Sequence, residues 1–339
     1  MAAVSMAFAL LGGVIGAGFA SGREILRFFA GHGRMAGAAI VCALMALSAL
    51  FLRLPAQMET SGAGSLVQLC RIRLGRRFGL FCGGLFMLLY AVTGAAMLAA
   101  CAELGALLLF CRHAYALSMG FSLLLALLFA LWGLSGIALP GALLAAILPL
   151  LLARLWALPA GEACFLPAMT PDLPIRAVTD GAVYGALSAA QMAGLLAQLA
   201  AQPRKIRLHA TLLFTLLFGV LLAFGTAVCR RHMPAIIHQP LPFVYLSRAL
   251  GASGYRLVAL CMYAAALSTL CAMLRALMPG APSIRRALDA AVLCLMISLL
   301  GFDMLVACGY PLLGALCAGL LLVLCLPICP RAVAASTSE

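Results

Sequence analysis

The stretch VIGAGFASGREILRFF, residues 14–29, lies in the first apolar run of the chain and decides how the rest is interpreted. It holds three glycines followed by three charged residues: Gly16, Gly18, Gly22, Arg23, Glu24 and Arg27. Each glycine destabilises a helix by about 1 kcal/mol relative to alanine, and charged side chains are costly in lipid. The stretch therefore predicts a helix that breaks inside a membrane and borders a polar space.

The composition of the whole chain is that of a membrane protein. Of its 339 residues, 66% are hydrophobic and 9% are charged, and the mean hydropathy is +1.17. A soluble domain has about 25% charged residues. Apolar stretches near the length that spans a bilayer as helix occur at 3–30, 35–54, 79–105, 115–135, 138–157, 177–201, 206–229, 254–277, 284–301 and 303–328. They predict an all-α membrane protein with about ten transmembrane helices.

Several function classes are excluded by the sequence pattern. The 14 cysteines lie mostly in apolar runs, without a CxxC pair or a zinc-type spacing, so they are predicted to be small buried hydrophobes. The net charge of +13 is scattered over short loops and not gathered into a nucleic-acid patch. We find no phosphate-binding loop and no nucleophile–base pattern. The sequence predicts neither an enzyme nor a nucleic-acid partner, and no cofactor beyond a candidate sodium ion.

The distribution of basic residues predicts the orientation. The clusters RIRLGRR (71–77) and QPRKIR (202–207) fall on the same side of the membrane if ten spans are counted. Lysine and arginine are enriched in cytoplasmic loops. The chain is therefore predicted to be a multi-pass protein of the inner (plasma) membrane with both termini in the cytoplasm.

The predicted spans divide into two halves of five. Residues 1–157 form the first half, 158–176 a polar outer link, 177–328 the second half and 329–339 a cytoplasmic tail. Because five is an odd number of spans, the second half runs through the membrane in the opposite sense to the first, which is the topology of an inverted repeat. Stretches rich in small residues open both halves, although such stretches also serve close helix packing.

Unwinding of residues 13–19 would create two kinds of binding group. Carbonyls near Gly12 and Ile15 would face a cation, and amides that open the second half-helix would suit an anionic group. The candidate solute contacts here are Gly16, Ala17, Gly18, Phe19, Ser21 and Gly22. Glu24 and Arg27 are candidates for gating or ion coupling, or they pair with each other three residues apart. The alternative is an unbroken helix with a glycine packing face.

The motif GxxIGAGFASGxEIxxFF, residues 12–29, resembles the start of the YkvI family of bacterial membrane proteins. That family is similar to the amino acid–polyamine–cation (APC) superfamily, which has the LeuT-type fold. The resemblance implies a 5+5 inverted repeat with unwound first and sixth helices. It does not name a solute.

The sixth span carries polar groups that the resemblance implies as solute contacts: Tyr184, Ser188 and Gln191. Ser188 and Gln191 share a helix face. The family places an asparagine near the middle of this span, where Ser188 or Ala189 stands here. The alternative is that Ser188 bonds to its own helix and Tyr184 anchors the helix at the interface.

The eighth span contains adjacent hydroxyls, Ser268 and Thr269, in an apolar background. Sodium symporters of the LeuT type have a hydroxyl pair here that binds sodium together with carbonyls of the first helix. The resemblance therefore implies a sodium site formed by Gly12, Ile15, Ala265, Ser268 and Thr269, since hard cations bind oxygen. The alternative is that both hydroxyls bond to carbonyls four residues earlier.

Together these features predict a secondary active transporter of a small polar or zwitterionic, amino-acid-like solute, coupled to sodium and working by alternating access. A proton-coupled transporter or uniporter is one alternative. A non-transporting membrane sensor or assembly protein on the same scaffold is another.

The orientation can be tested by cysteine labelling. A cysteine introduced beside Arg73, in the cluster 71–77, should resist a membrane-impermeant thiol reagent added to intact cells and should react after permeabilisation. Strong labelling from outside would reverse the predicted orientation.

Overall fold

Helices form the fold in the computed structural model, which describes residues 2–108, 113–159, 174–239, 241–278, 283–301, 304–305 and 310–325. The α-helices are α1 (Ala2–Val14), α2 (Ala17–Ala20), α3 (Arg23–Phe28), α4 (Ala36–Ser61), α5 (Leu66–Leu74), α6 (Arg76–Leu108), α7 (Ala114–Leu131), α8 (Leu134–Trp156), α9 (Pro174–Ala200), α10 (Arg204–Arg231), α11 (Met233–Ile236), α12 (Pro242–Ser247), α13 (Gly251–Leu277), α14 (Ile284–Ser298) and α15 (Tyr310–Cys325). Two 3-10 helices span Ala30–Met35 and Arg248–Leu250. The described residues contain no strand, in agreement with the predicted all-α class.

The first span breaks directly after α1. The backbone N–H of Gly16 donates to the carbonyl of Val14 at 3.0 Å, and not to the carbonyl of Gly12, its partner in a continuous helix. The Gly12 carbonyl therefore loses its helical donor. A break of this kind at membrane depth is tolerated only where the backbone is buried in protein or borders a cavity.

A second break follows one helical turn later. The turn α2 is closed by a bond from the N–H of Ala20 to the carbonyl of Gly16 at 3.0 Å. Gly22 then adopts a φ of 83°, a conformation that favours glycine. The prediction had one unwound stretch at 13–19, whereas the structure has two short breaks around a helical turn. The turn pairs backbone groups that a fully unwound stretch would leave without partners.

The sixth span is bent by 76° between Met192 and Gly194. Just after the bend, Gly194 packs against Ala276 of α13, so closely that an added Cβ would overlap the Ala276 side chain. The first helix of each predicted half is thus interrupted, in agreement with the predicted broken first and sixth helices.

Six of the described helices are long and apolar enough to cross a membrane, or seven if the bent pair in α9 counts as one span. This number is smaller than the ten predicted spans, partly because the break in the first span leaves Ala2–Val14 as a short apolar helix. Leu313–Cys325 is also a short apolar helix. Helix α14, with 15 residues, is short as well. Most of the predicted link 158–176 and all of the predicted tail 329–339 lie outside the described residues.

Helix α1 lies at the centre of the fold and contacts α8, α9, α10 and α13. Its approach to two of these helices depends on Gly12. An added Cβ there would overlap Ser268 Oγ of α13 and would lie 2.7 Å from the Cα of Gly141 on α8. Small residues at such positions let helix backbones approach each other closely.

A buried guanidinium joins three helices at the end of the molecule where α4 ends and α10 begins. Arg207 on α10 is 5% exposed, and its Nη2 lies 2.5 Å from Glu59 Oε2 of α4. Its Nη1 donates to the Ala200 carbonyl at the end of α9 at 3.3 Å. The last carbonyls of a helix lack helical donors, so the guanidinium supplies the Ala200 carbonyl with a donor that α9 does not provide.

We expect Arg207→Met to lower the thermal unfolding midpoint in detergent. The Glu59 side chain is 57% exposed, so solvent screens the ion pair, and the loss should be about 1 kcal/mol. The control is Arg204→Met, because Arg204 is exposed at the start of the same helix. Equal midpoints for the two variants in differential scanning fluorimetry would contradict the joining role.

Candidate functional site

The breaks in the first span border a buried cavity of about 70 Å³, which we call the central cavity. Its volume is enough for several water molecules. The residues around it come from the broken segment, α6, α9, α13 and the loop before α12: Gly16, Ala17, Gly18, Ser21, Arg23, Glu24, Thr93, Ala96, Met97, Gln191, Leu241, Met262 and Thr269. The structure therefore brings predicted contacts of the first, sixth and eighth spans to one space.

The hydroxyl of Thr269 faces the carbonyls at the end of α1. Its Oγ1 lies 3.4 Å from the Gly12 carbonyl oxygen and 3.5 Å from that of Gly13. The carbonyl of Ala265, one turn earlier on α13, lies 3.1 Å away. A hydroxyl has one proton to donate, so it satisfies one of these carbonyls at a time. Three carbonyl oxygens thus surround one hydroxyl, and a single proton compensates only part of their negative partial charge.

Ser268 adds a further oxygen beside α1. Its Oγ is buried, has no hydrogen-bond partner among the described residues and lies against Gly12. The predicted cation contacts Gly12, Ala265, Ser268 and Thr269 are thus neighbours. Ile15 is fully buried, and its N–H donates to the Leu11 carbonyl at 2.9 Å. No three histidine, cysteine or carboxylate side chains of the described residues lie close enough together to hold a metal ion.

Glu24 lines the central cavity and is positioned by two neighbours. The Tyr184 hydroxyl donates to Glu24 Oε2 at 3.3 Å, and the carboxylate packs against Gly18, where an added Cβ would overlap it. The ring of Tyr184 lies between two aromatic rings, 5.3 Å from Phe28 and 5.0 Å from Phe29 between centroids. Tyr184 therefore holds a cavity residue in place and does not itself line the central cavity.

Among the predicted solute and gating residues, Phe19, Gly22, Ser188 and Arg27 also lie outside the lining of the central cavity. The ring of Phe19 packs 5.5 Å from that of Phe218 on α10, because a one-turn helix directs its side chains to different sides. Ser188 is 5% exposed. The guanidinium of Arg27 lies 5.3 Å above the Phe28 ring and faces a second cavity.

The loop between α10 and α13 covers the second break. The backbone N–H of Phe243 donates to the Ser21 carbonyl at 2.9 Å. Its ring packs on Gly22, where an added Cβ would lie 2.9 Å from the ring carbons. Leu241, two residues earlier, lines the central cavity. Gly22 is therefore needed both for its positive φ and for this cover.

Thr93 on α6 is a cavity residue that the sequence reasoning missed. Its Oγ1 is buried and has no hydrogen-bond partner among the described residues, and it borders the central cavity. The signal in the sequence is a threonine hydroxyl in the apolar run around residue 93, one turn after the hydroxyl of Tyr90, because polar groups in a membrane helix often serve a function. Met97 and Met262 supply adaptable apolar walls.

No family model matches the chain, and no curated protein matches it. Solved structures do match. One of them is described as the substrate-bound outward-open state of a Na⁺-coupled sialic acid symporter with a novel Na⁺ site. The match has a TM-score of 0.66 at 12% sequence identity and covers 93% of this chain and 75% of that chain. The chain is thus an all-α, multi-pass membrane protein with the LeuT-type fold.

The role of Gly18 can be tested with a matched pair of variants. Gly18→Leu should displace the Glu24 carboxylate and fill the central cavity, reducing uptake of any solute found for the wild type at least about tenfold, or 1.4 kcal/mol. In Gly84→Leu the added Cβ meets no neighbour within 4 Å, and leucine is favourable in lipid. Both variants should reach wild-type levels in the membrane. Normal uptake by Gly18→Leu would show that the broken segment does not bind solute.

Proposed function

We propose that this protein is a secondary active transporter that moves a small polar or zwitterionic, amino-acid-like solute by alternating access. The observation that carries the proposal is the double break of the first span beside the central cavity. Backbone N–H and C=O groups that would be hydrogen-bonded within a continuous helix are available there to a ligand. The fold supports the proposal, because secondary transporters place solute and ion sites at broken helices near the membrane midplane.

We also propose sodium as the coupling ion, bound where α1 ends. The predicted ligands are the carbonyls of Gly12, Ile15 and Ala265 and the hydroxyls of Ser268 and Thr269, which are neutral oxygen ligands. The Gly13 carbonyl, 3.5 Å from Thr269 Oγ1, is a further candidate. The Thr269 hydroxyl can keep donating its hydrogen bond to the Ala265 carbonyl at 3.1 Å, which leaves the lone pairs of the hydroxyl oxygen for an ion. The ion would join α1 to α13, so its occupancy would bias which way the cavity opens. The Na⁺-coupled symporter with the same fold supports this choice.

Proton coupling is the second candidate, because Glu24 lines the central cavity and accepts a hydrogen bond from Tyr184. A carboxylate at that position would carry the coupling proton, and the hydroxyl pair would then be structural. Uniport, and a non-transporting sensor or assembly protein on this scaffold, are further alternatives.

Finer assignments follow from the same proposal. The motif at 12–29 supports assignment to the YkvI family, which resembles the APC superfamily. The repeats 1–157 and 177–328 would rock against each other. The basic clusters support a location in the inner (plasma) membrane with both termini in the cytoplasm.

Uptake into proteoliposomes tests the coupling. Candidate amino acids and related metabolites are supplied under an imposed sodium gradient and under an equal proton gradient. Ser268→Ala and Thr269→Ala should each weaken the apparent sodium affinity by about fivefold, which corresponds to about 1 kcal/mol for one net hydrogen-bond-like contact. Solute affinity in saturating sodium should change less.

The control variant is Thr226→Ala, because that buried hydroxyl donates to the Leu222 carbonyl of its own helix at 2.7 Å. Its sodium affinity should match the wild type. Uptake that follows the proton gradient and ignores sodium would reject the sodium site and favour Glu24. Absence of driven uptake for every solute would reject transport of this solute class.

A further inference from the structure

Helix α9 passes three cavities in succession. Arg176 and Asp180, near its start, line a cavity of about 510 Å³ that we call the arginine cavity. Gln191 lines the central cavity. The turns after the bend, from Gly194 to Ala201, line a third cavity of about 220 Å³ that we call the tyrosine cavity. Because positions along a helix are ordered in space, the three cavities form a series from one end of the fold to the other.

Two other helices give the same order. On α6, Thr93 lines the central cavity, and Tyr90, one turn earlier, lines the tyrosine cavity. On α13, Thr269 lines the central cavity, and Arg275 lines the tyrosine cavity. The series is therefore built by the helices that surround the candidate site and is not an accident of one helix.

The arginine cavity has an excess of positive charge. Its lining includes three arginines, two histidines and one aspartate: Arg23, Arg27, Arg176, His32, His238 and Asp180. The aspartate is engaged, since its Oδ2 lies 3.1 Å from His32 Nε2. Among the described residues, no carboxylate lies within ion-pair distance of the three guanidinium groups. A cleft lined by one sign of charge between low-dielectric walls concentrates ions of the opposite sign.

Arg23 connects this cavity to the candidate site, because it lines both the arginine cavity and the central cavity. Its neighbour Glu24 also lines the central cavity, so the two charges balance there. The excess positive charge is consequently found in the arginine cavity and not in the central cavity.

The far end of the series also offers donors to an anion. Arg275 is the charged residue among the described lining of the tyrosine cavity, and its Nη1 donates to the Met278 carbonyl, which holds the guanidinium in place. The Tyr90 hydroxyl in the same lining is buried and has no hydrogen-bond partner among the described residues. Guanidinium and hydroxyl groups are the donors that a carboxylate accepts from.

From this geometry we infer that the solute carries a net negative charge, as a carboxylate does, and that it first binds in the arginine cavity. The passage of the solute rests on the proposed transport function, whereas binding of an anion in the arginine cavity does not. Planar guanidinium groups recognise a carboxylate through paired hydrogen bonds. The ring of Phe28 beneath Arg27 limits the orientations of that guanidinium.

The charge of the cavity is measured by thiol modification of purified protein in nanodiscs. Negatively charged sulfonatoethyl and positively charged trimethylammonium-ethyl methanethiosulfonates are compared on Gln239→Cys, whose position lines the cavity. The reference is Leu300→Cys, a position 56% exposed at the same end of the helices, and wild-type protein corrects for native cysteines. The ratio of anionic to cationic modification rates should be about tenfold higher at position 239.

The source of the charge is tested in the same assay. Arg27→Gln and Arg176→Gln should each lower the ratio at position 239 by about two- to threefold, and about 1 M salt should reduce it further by screening. Arg34→Gln is the matched control, because Arg34 is exposed in the neighbouring 3-10 helix outside the described cavity lining, and it should have little effect.

The solute class is tested by protection with acid–amide pairs: L-glutamate and L-glutamine, L-aspartate and L-asparagine, succinate and succinamide. In at least one pair, the acid should slow modification of the introduced thiol at least fivefold more than the amide, and the same acid should be taken up by proteoliposomes. An anionic reagent with no rate advantage, equal protection by acid and amide, or no protection by any pair would overturn the inference. Protection by an acid without gradient-driven uptake would keep the anion site and reject the transport function.

Discussion

A hydroxyl on one helix compensates for a break in another, and the candidate site depends on this interaction. In a bilayer an unsatisfied backbone group costs several kcal/mol. Thr269 on α13 meets the carbonyls of Gly12 and Gly13, which the break has deprived of their helical donors. The remaining backbone groups of the broken segment border a cavity where water or a ligand can reach them. A continuous first span would have no such groups to offer.

Glycine makes this compensation geometrically feasible. The Thr269 hydroxyl reaches α1 only because Gly12 allows α1 and α13 to approach closely. Gly18 does the equivalent for the Glu24 carboxylate, which occupies the space a side chain would take. Gly22 serves a different purpose, since its positive φ turns the chain into α3. The glycines of the first span thus have separate physical tasks, although they are close together in the sequence.

The sequence predicted those features that arise from residues close together in the chain and are unfavourable in a membrane helix. Glycines and charges inside an apolar run predicted the broken first helix. The resemblance to LeuT-type symporters implied that the two adjacent hydroxyls of the eighth span lie beside Gly12. Features that depend on distant side chains were not predictable: the cover of Gly22 by Phe243 and the support of Glu24 by Tyr184. Phe19 was expected at the solute and packs on Phe218, because the direction of a side chain on a single turn follows from tertiary packing.

Gly194 and Ala276 pack against each other where α9 bends, and both line the tyrosine cavity. The contact is made by one methyl group against one α-carbon. Parting them would expose little apolar surface, at about 0.8 kcal/mol for each CH₂ uncovered. A ligand that favours the parted form and is present at tenfold its dissociation constant supplies about 1.4 kcal/mol. Parting two of the smallest side chains at the bend is thus of the same size as the free energy of a single modest binding event, and larger residues would exceed it.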